Sequence, residues 1–151
     1  LMLPASPDLM LASVSNQGWR PALAHPERYT GIGRSYDWIE RWREAGVLMV
    51  VNVGSMLGEH GPEAQRVSHQ MLARGHADCL ASDHHGRDGR STMLRAGWKR
   101  LAEAGHEVVA DLLASANPEA ILAGEKCEPV PPVDLASSLV RRLRRMVRGS
   151  Q

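Results

Sequence analysis

At 151 residues and 16.5 kDa the chain has the size of one ordinary domain, or of a piece of a larger one. Apolar residues make up 43%, which excludes a disordered chain, and no apolar run reaches the roughly 20 residues that span a bilayer. The net charge of +1 divides unevenly, with +4 on residues 134–151 and −3 on residues 1–133, so a uniformly basic nucleic-acid binder is excluded.

Aromatic residues are only 4%, with no Phe, so the core must rest on Leu, Val, Ala and Met. Two cysteines, Cys79 and Cys127, are too few for a disulfide framework, and a reducing cytoplasm is the expected setting. The N-terminus carries no secretory signal pattern. The chain opens on Leu1 in mid-pattern and is expected to be a fragment.

Along the chain the pattern alternates. Residues 4–17 read as a helix closed by Gly18, and 19–24 as a short strand. Residues 35–45 form a helix with Trp38, Ile39 and Trp42 on one face, stopped by Gly46. Residues 47–53 (VLMVVNV) are a continuous apolar run, the mark of a strand buried on both faces. Pro62 suits the first turn of the next helix, which ends at Gly75, and 78–81 is a further short strand. Helices are expected at about 92–104 and 106–116, and a separate short one from Asn117-Pro118 to Ala123.

Strands separated by helices in this way predict an α/β fold with a parallel sheet, open or closed into a barrel. Three prolines make 126–132 a stiff linker, and 133–151 a basic amphipathic tail. There Leu135, Leu139, Leu143, Met146 and Val147 share a face flanked by Arg141, Arg142, Arg144, Arg145 and Arg148. Such a helix packs its stripe on the body; the alternative is contact with an anionic membrane surface.

Chemistry in parallel βα folds collects past the C-terminal ends of strands. Three such places stand out: AHPERY at 24–29, NVGSMLGEHG at 52–61 and SDHHG at 82–86, the last followed by Arg87 and Arg90. Asp83 and His85, at i and i+2 on an extended exit, point to one side and could share a metal, with His25 from a neighbouring strand end. Arg28 and Arg90 either clamp a phosphate bidentately or are surface charges. His60, His69, His76 and His106 are expected to be solvated or backbone-bonded, and Cys79 a buried small hydrophobe. Trp38 and Trp42 read as packing residues. Position 85 is His, so no Cys-x5-Arg phosphatase loop starts at Cys79, and there is no Walker-type or dinucleotide glycine motif.

AHPERY, then NxGSxLGxxG, then SDxHGxxxR, in that order from about Leu3 to Gly124, resemble the later motifs of the PHP-type bacterial protein tyrosine phosphatases of the CpsB/CapC group. The resemblance implies the later strands of a PHP-type (β/α)7 barrel over 1–125, with a cluster of metal ions at its C-terminal face. The metal implied is manganese, with iron, magnesium or zinc as alternatives. On this resemblance His25, Asp83 and His85 fall on metal-ligand positions, Arg28 and Arg90 on phosphate-binding positions, and His84 on a variable one. It also implies hydrolysis without a phosphoenzyme, and a phosphotyrosine protein as substrate. That substrate would be a membrane-associated tyrosine kinase of capsule or exopolysaccharide synthesis; a homo-oligomer is left open.

The family's opening His-x-His motif, its Asp-Asp-Gly and further His and Glu ligands have no counterpart before Pro4. The chain is therefore expected to hold only part of the ligand set. Two rival readings are set against this one. Asp83-His84-His85 also spells the DHH of another manganese phosphoesterase superfamily, whose earlier Asp motifs and late glycine-histidine motif are missing. The other is a non-catalytic regulatory or membrane-associated module working through the tail.

Overall fold

The computed structural model describes residues 1–32, 35–86 and 93–135. In chain order the elements are α1 (Pro7–Asn16), β1 (Ala22–Ala24), a 3₁₀ turn (Pro26–Arg28), α2 (Asp37–Glu44), β2 (Leu48–Asn52), α3 (Val53–Leu57), α4 (Pro62–Ala73) and β3 (Cys79–Ala81). There follow α5 (Leu94–Ala102), α6 (Glu107–Asp111), a π-helical segment (Leu112–Ala116) and α7 (Asn117–Ala123). The strands form one parallel sheet in the order β1-β2-β3, with Ala22 beside Leu48 and Val50 beside Cys79. The fold is thus mixed α/β. Among the described residues no helix is long and apolar enough to cross a membrane.

β2 is the central strand, and its apolar run is buried on both faces as its composition requires. The core includes Ile39 and Trp42 of α2 and Val67, Met71 and Leu72 of α4. Leu101, Val109 and Leu113 join the same core cluster. α1 buries none of its residues; it is held by its Asp8, which accepts from Trp42 Nε1 at 2.7 Å and from Arg41 Nη2 at 3.2 Å.

Four local expectations are corrected. The first strand starts at Ala22 rather than at 19, because Pro21 has no N–H for a ladder, and Trp19 is 70% exposed. The second strand ends at Asn52. Its side-chain Oδ1 accepts the Gly54 N–H at 2.7 Å, and this cap turns Val53 into a helix rather than the end of a strand.

The two helices expected at 106–116 and 117–123 are one continuous run. Asn117 N–H reaches back five residues to Leu112 O, and this wider turn carries the chain past Pro118, whose ring would otherwise meet the carbonyl one turn back. Finally, 126–132 is no free spacer. Val130 is buried, Val133 N–H bonds Leu72 O at 2.9 Å, and Asn117 holds both backbone groups of Glu128. Of the expected basic tail, Val133 and Leu135 are buried in the core, and positions 136–151 lie outside the described residues.

Gly97 lets α5 lie directly on α3: a Cβ there would sit 2.1 Å from Val53 Cγ2. Alanine improves helix propensity by about 1 kcal/mol, whereas overpacking against a stiff, buried valine costs about 1–3 kcal/mol. The clash wins. Gly97→Ala is expected to lower the denaturant midpoint with an unchanged slope.

Candidate active site

Because the strands are parallel, Ala24, Asn52 and Ala81 end on one edge of the sheet, and the three motifs follow there. His25 extends the ladder by donating its N–H to Val50 O at 2.8 Å, then adopts left-handed φ 55° so that the chain can turn into Pro26–Arg28. Asp83 is likewise left-handed at φ 50°. They are the only non-glycine positive-φ residues among those described, and such strain concentrates at functional sites.

Asp83 is the centre. Its Oδ1 lies 3.2 Å from His25 Nε2 and 2.8 Å from His85 Nε2, and its Oδ2 lies 3.4 Å from Arg28 Nη1. The side chains differ in exposure, from 13% for His25 to 77% for His85. Asp83 and His85 do come together, but through the turn at Asp83 rather than an extended exit. Burial works against ionisation of Asp83. The charge of His25 and hydrogen bonds from His25 and His85 prevail, and its pKa is lowered.

The donor set, imidazole nitrogen with carboxylate oxygen, suits a divalent transition metal. His25 Nδ1 is buried with no partner, as for a ligand whose second ring nitrogen still needs an orienting group. Among the described residues no group of three or more His, Cys, Asp or Glu is arranged to hold an ion. Arg90 falls within 87–92, outside the described residues.

Three residues of this region were not picked out as site residues by sequence reasoning. Glu27, in the AHPERY motif, is only 3% exposed. Its Oε1 accepts from Asn52 N–H at 3.2 Å, fastening the His25–Arg28 turn to the end of β2, while Oε2 has no partner. Burial raises its pKa, against the lowering influence of the nearby Ser55 hydroxyl, the backbone N–H groups and His25. Ser55 is fully buried on α3, and its Oγ lies 3.0 Å from Nδ1 of His60, which is exposed but not idle. The Ser55–His60 spacing of five residues was the available signal. His69 fits the expectation of a backbone-bonded residue, with Met56 O as its partner, whereas His76 departs from it: its Nδ1 lies 3.1 Å from Tyr36 Oη and its ring stacks on Tyr36.

Glu27 makes the fold pH-dependent. With its folded pKa above the ordinary 4.5, its contribution to stability is full below pH 4.5 and is lost as pH rises through the folded value. Glu27→Gln removes that loss. The variant's gain in Tm over wild type is expected to grow as pH is raised from about 4.5 to 8; a gain independent of pH would contradict it.

The sequence profile of the family described as "Capsular polysaccharide synthesis, CpsB/CapC" matches residues 8–123. The chain belongs to the CpsB/CapC family. All three strand ends, including His25, Arg28, Asp83 and His85, fall inside the matched span. Within a family so described, the chain is 28% identical over 93 residues to the "Putative tyrosine-protein phosphatase CapC" of Staphylococcus aureus. That alignment covers 62% of this chain and 36% of the relative.

Its fold also matches a solved structure described as "Crystal structures of YwqE from Bacillus subtilis and CpsB from Streptococcus pneumoniae, unique metal-dependent tyrosine phosphatases". The TM-score is 0.71 at 21% identity, over 87% of this chain and 53% of the other. This CpsB/CapC chain therefore spans about half the length of the structure and about a third of the curated relative.

Proposed function

We propose that the chain is the later part of a metal-dependent phosphotyrosine phosphatase of capsule or exopolysaccharide synthesis, its three strands belonging to a PHP-type (β/α)7 barrel. One observation carries the reading: Arg28, His25 and His85 converge on the Asp83 carboxylate at neighbouring strand ends. In this reading His25, Asp83 and His85 hold the metal, manganese first among the candidates. A bound divalent metal would supply Lewis acidity and a water of lowered pKa. Arg28, joined by Arg90, holds the non-bridging phosphoryl oxygens with its planar fork of donors.

Thiol chemistry does not fit. Cys79 is buried in β3 and its pKa is pushed up to about 12, chiefly by burial, so no thiolate forms near neutrality. Cys79→Ser is expected to leave turnover intact.

The substrate in this reading is a phosphotyrosine protein, in particular a membrane-associated tyrosine kinase, met in the cytoplasm. The deciding assay compares phosphotyrosine and phosphoserine peptides with manganese, iron, magnesium or zinc supplied, and after chelation. Metal-dependent release of phosphate from phosphotyrosine supports the reading; a chelator-resistant activity overturns it. Because no three of the described donors are arranged to hold an ion, the 151-residue chain alone is expected to retain less than one metal ion per chain after dialysis. Its turnover should then be negligible. Robust turnover would show that a second protomer completes the shell.

A further inference from the structure

The motif at 52–61 lies between the two that hold His25 and Asp83, and the reaction as described gives it no task. Its geometry is specific. The Asn52 cap starts α3 at the end of β2, and this places Ser55 beneath the rim and His60 over Gly54. A Cβ on Gly54 would lie 3.0 Å from His60 Cε1 and 3.0 Å from Asn52 Oδ1, so glycine is what lets the imidazole settle there. Ser55 Oγ then holds His60 Nδ1 at 3.0 Å. Ser55 is fully buried and cannot reach a substrate, so it latches the ring rather than attacking phosphorus.

We propose that His60 is a further phosphate-binding residue of this site, latched at Nδ1 by Ser55 and presenting Nε2 to a non-bridging oxygen of the phosphate. The proposal rests on the phosphatase reading above and extends it by one residue. Its position agrees: β2 lies between β1 and β3, so the Gly54 that His60 covers follows the strand end flanked by those that lead to His25 and Asp83. The Ser55 hydroxyl can donate to Nδ1 of the neutral ring, which leaves the ring proton on Nε2 as a donor. The His60 pKa is lowered, first by burial and then by Arg28 and His25, and a neutral donor of this kind adds no further positive charge beside Arg28.

The test is a titration of the 151-residue chain with inorganic phosphate, at constant pH and ionic strength, with diamagnetic magnesium supplied to neutralise Asp83. The imidazole Cε1–H NMR signals are followed. The His60 signal is expected to shift and saturate together with those of His25 and His85. His60→Ala is expected to weaken phosphate on the order of tenfold, the effect of one hydrogen bond to a charged partner, with Ser55→Ala in between. If His25 and His85 respond while His60 stays fixed, or if His60→Ala binds as wild type does, the proposal is overturned and the phosphate site stands without His60. Saturation at none of the three would overturn the proposal, while the peptide assay above decides the phosphatase reading separately.

Discussion

Replacing Arg28 by Ala is expected to lower kcat/KM of the assembled enzyme for a phosphotyrosine peptide on the order of 10²-fold, the usual result of losing one transition-state charge contact. Its guanidinium makes only one contact with Asp83, at 3.4 Å, and both partners are partly exposed. A long, screened pair of this kind contributes at most about 1 kcal/mol to folding, so the variant should melt close to wild type. The remaining donors of the fork are what a phosphoryl group would engage. Arg28→Lys separates charge from geometry: it keeps the cation, loses the bidentate fork and should recover only part of the rate. Unchanged kcat/KM in Arg28→Ala would remove Arg28 from the phosphate site. On the sequence resemblance alone, Arg90→Ala carries the same expectation.

How much was legible in the sequence differs by element, for physical reasons. β2 and α4 were plain because burial on both faces forces a continuous apolar run, and because Pro62 opens the helix at its first turn. Glycine stops were read correctly at Gly18 and Gly46, both left-handed where the chain reverses. α3 was missed because VGSML is apolar enough to prolong a strand, and only the Asn52 cap tells them apart.

Among the site residues, His25, Asp83, His85 and Arg28 are brought together as their strand-end positions suggested. Glu27 was invisible because the partner it buries itself against, Asn52 N–H, is distant in sequence, and no local pattern encodes that pairing. The prolines at 129, 131 and 132 masked the apolar residues Val130, Val133 and Leu135, whose burial fixes this stretch to the core. Composition indicated stiffness there; the apolar residues decided the docking.

That docking depends on Asn117, and its loss is the second large effect expected. Asn117 is fully buried where the long helix passes the start of β3. Its Nδ2 donates to Asp78 O at 2.9 Å and to Glu128 O at 3.0 Å, while its Oδ1 accepts Glu128 N–H at 2.9 Å. One side chain thus satisfies three backbone groups of two segments that cannot pair with each other. Asn117→Leu keeps the volume and strands all three, at about 1–3 kcal/mol for each buried group left unpaired. Partial access of water near Glu128 reduces the sum, giving an expected loss of roughly 3–5 kcal/mol, a large share of the 5–15 kcal/mol typical of a domain. Urea unfolding followed by tryptophan fluorescence measures it. Native-state hydrogen exchange should show residues 126–133 losing protection before β2 does, since the strap would open locally while the central strand stays packed. A loss below 1 kcal/mol with unchanged exchange over 126–133 would mean that Val130, Val133 and Leu135 hold the strap by apolar burial alone.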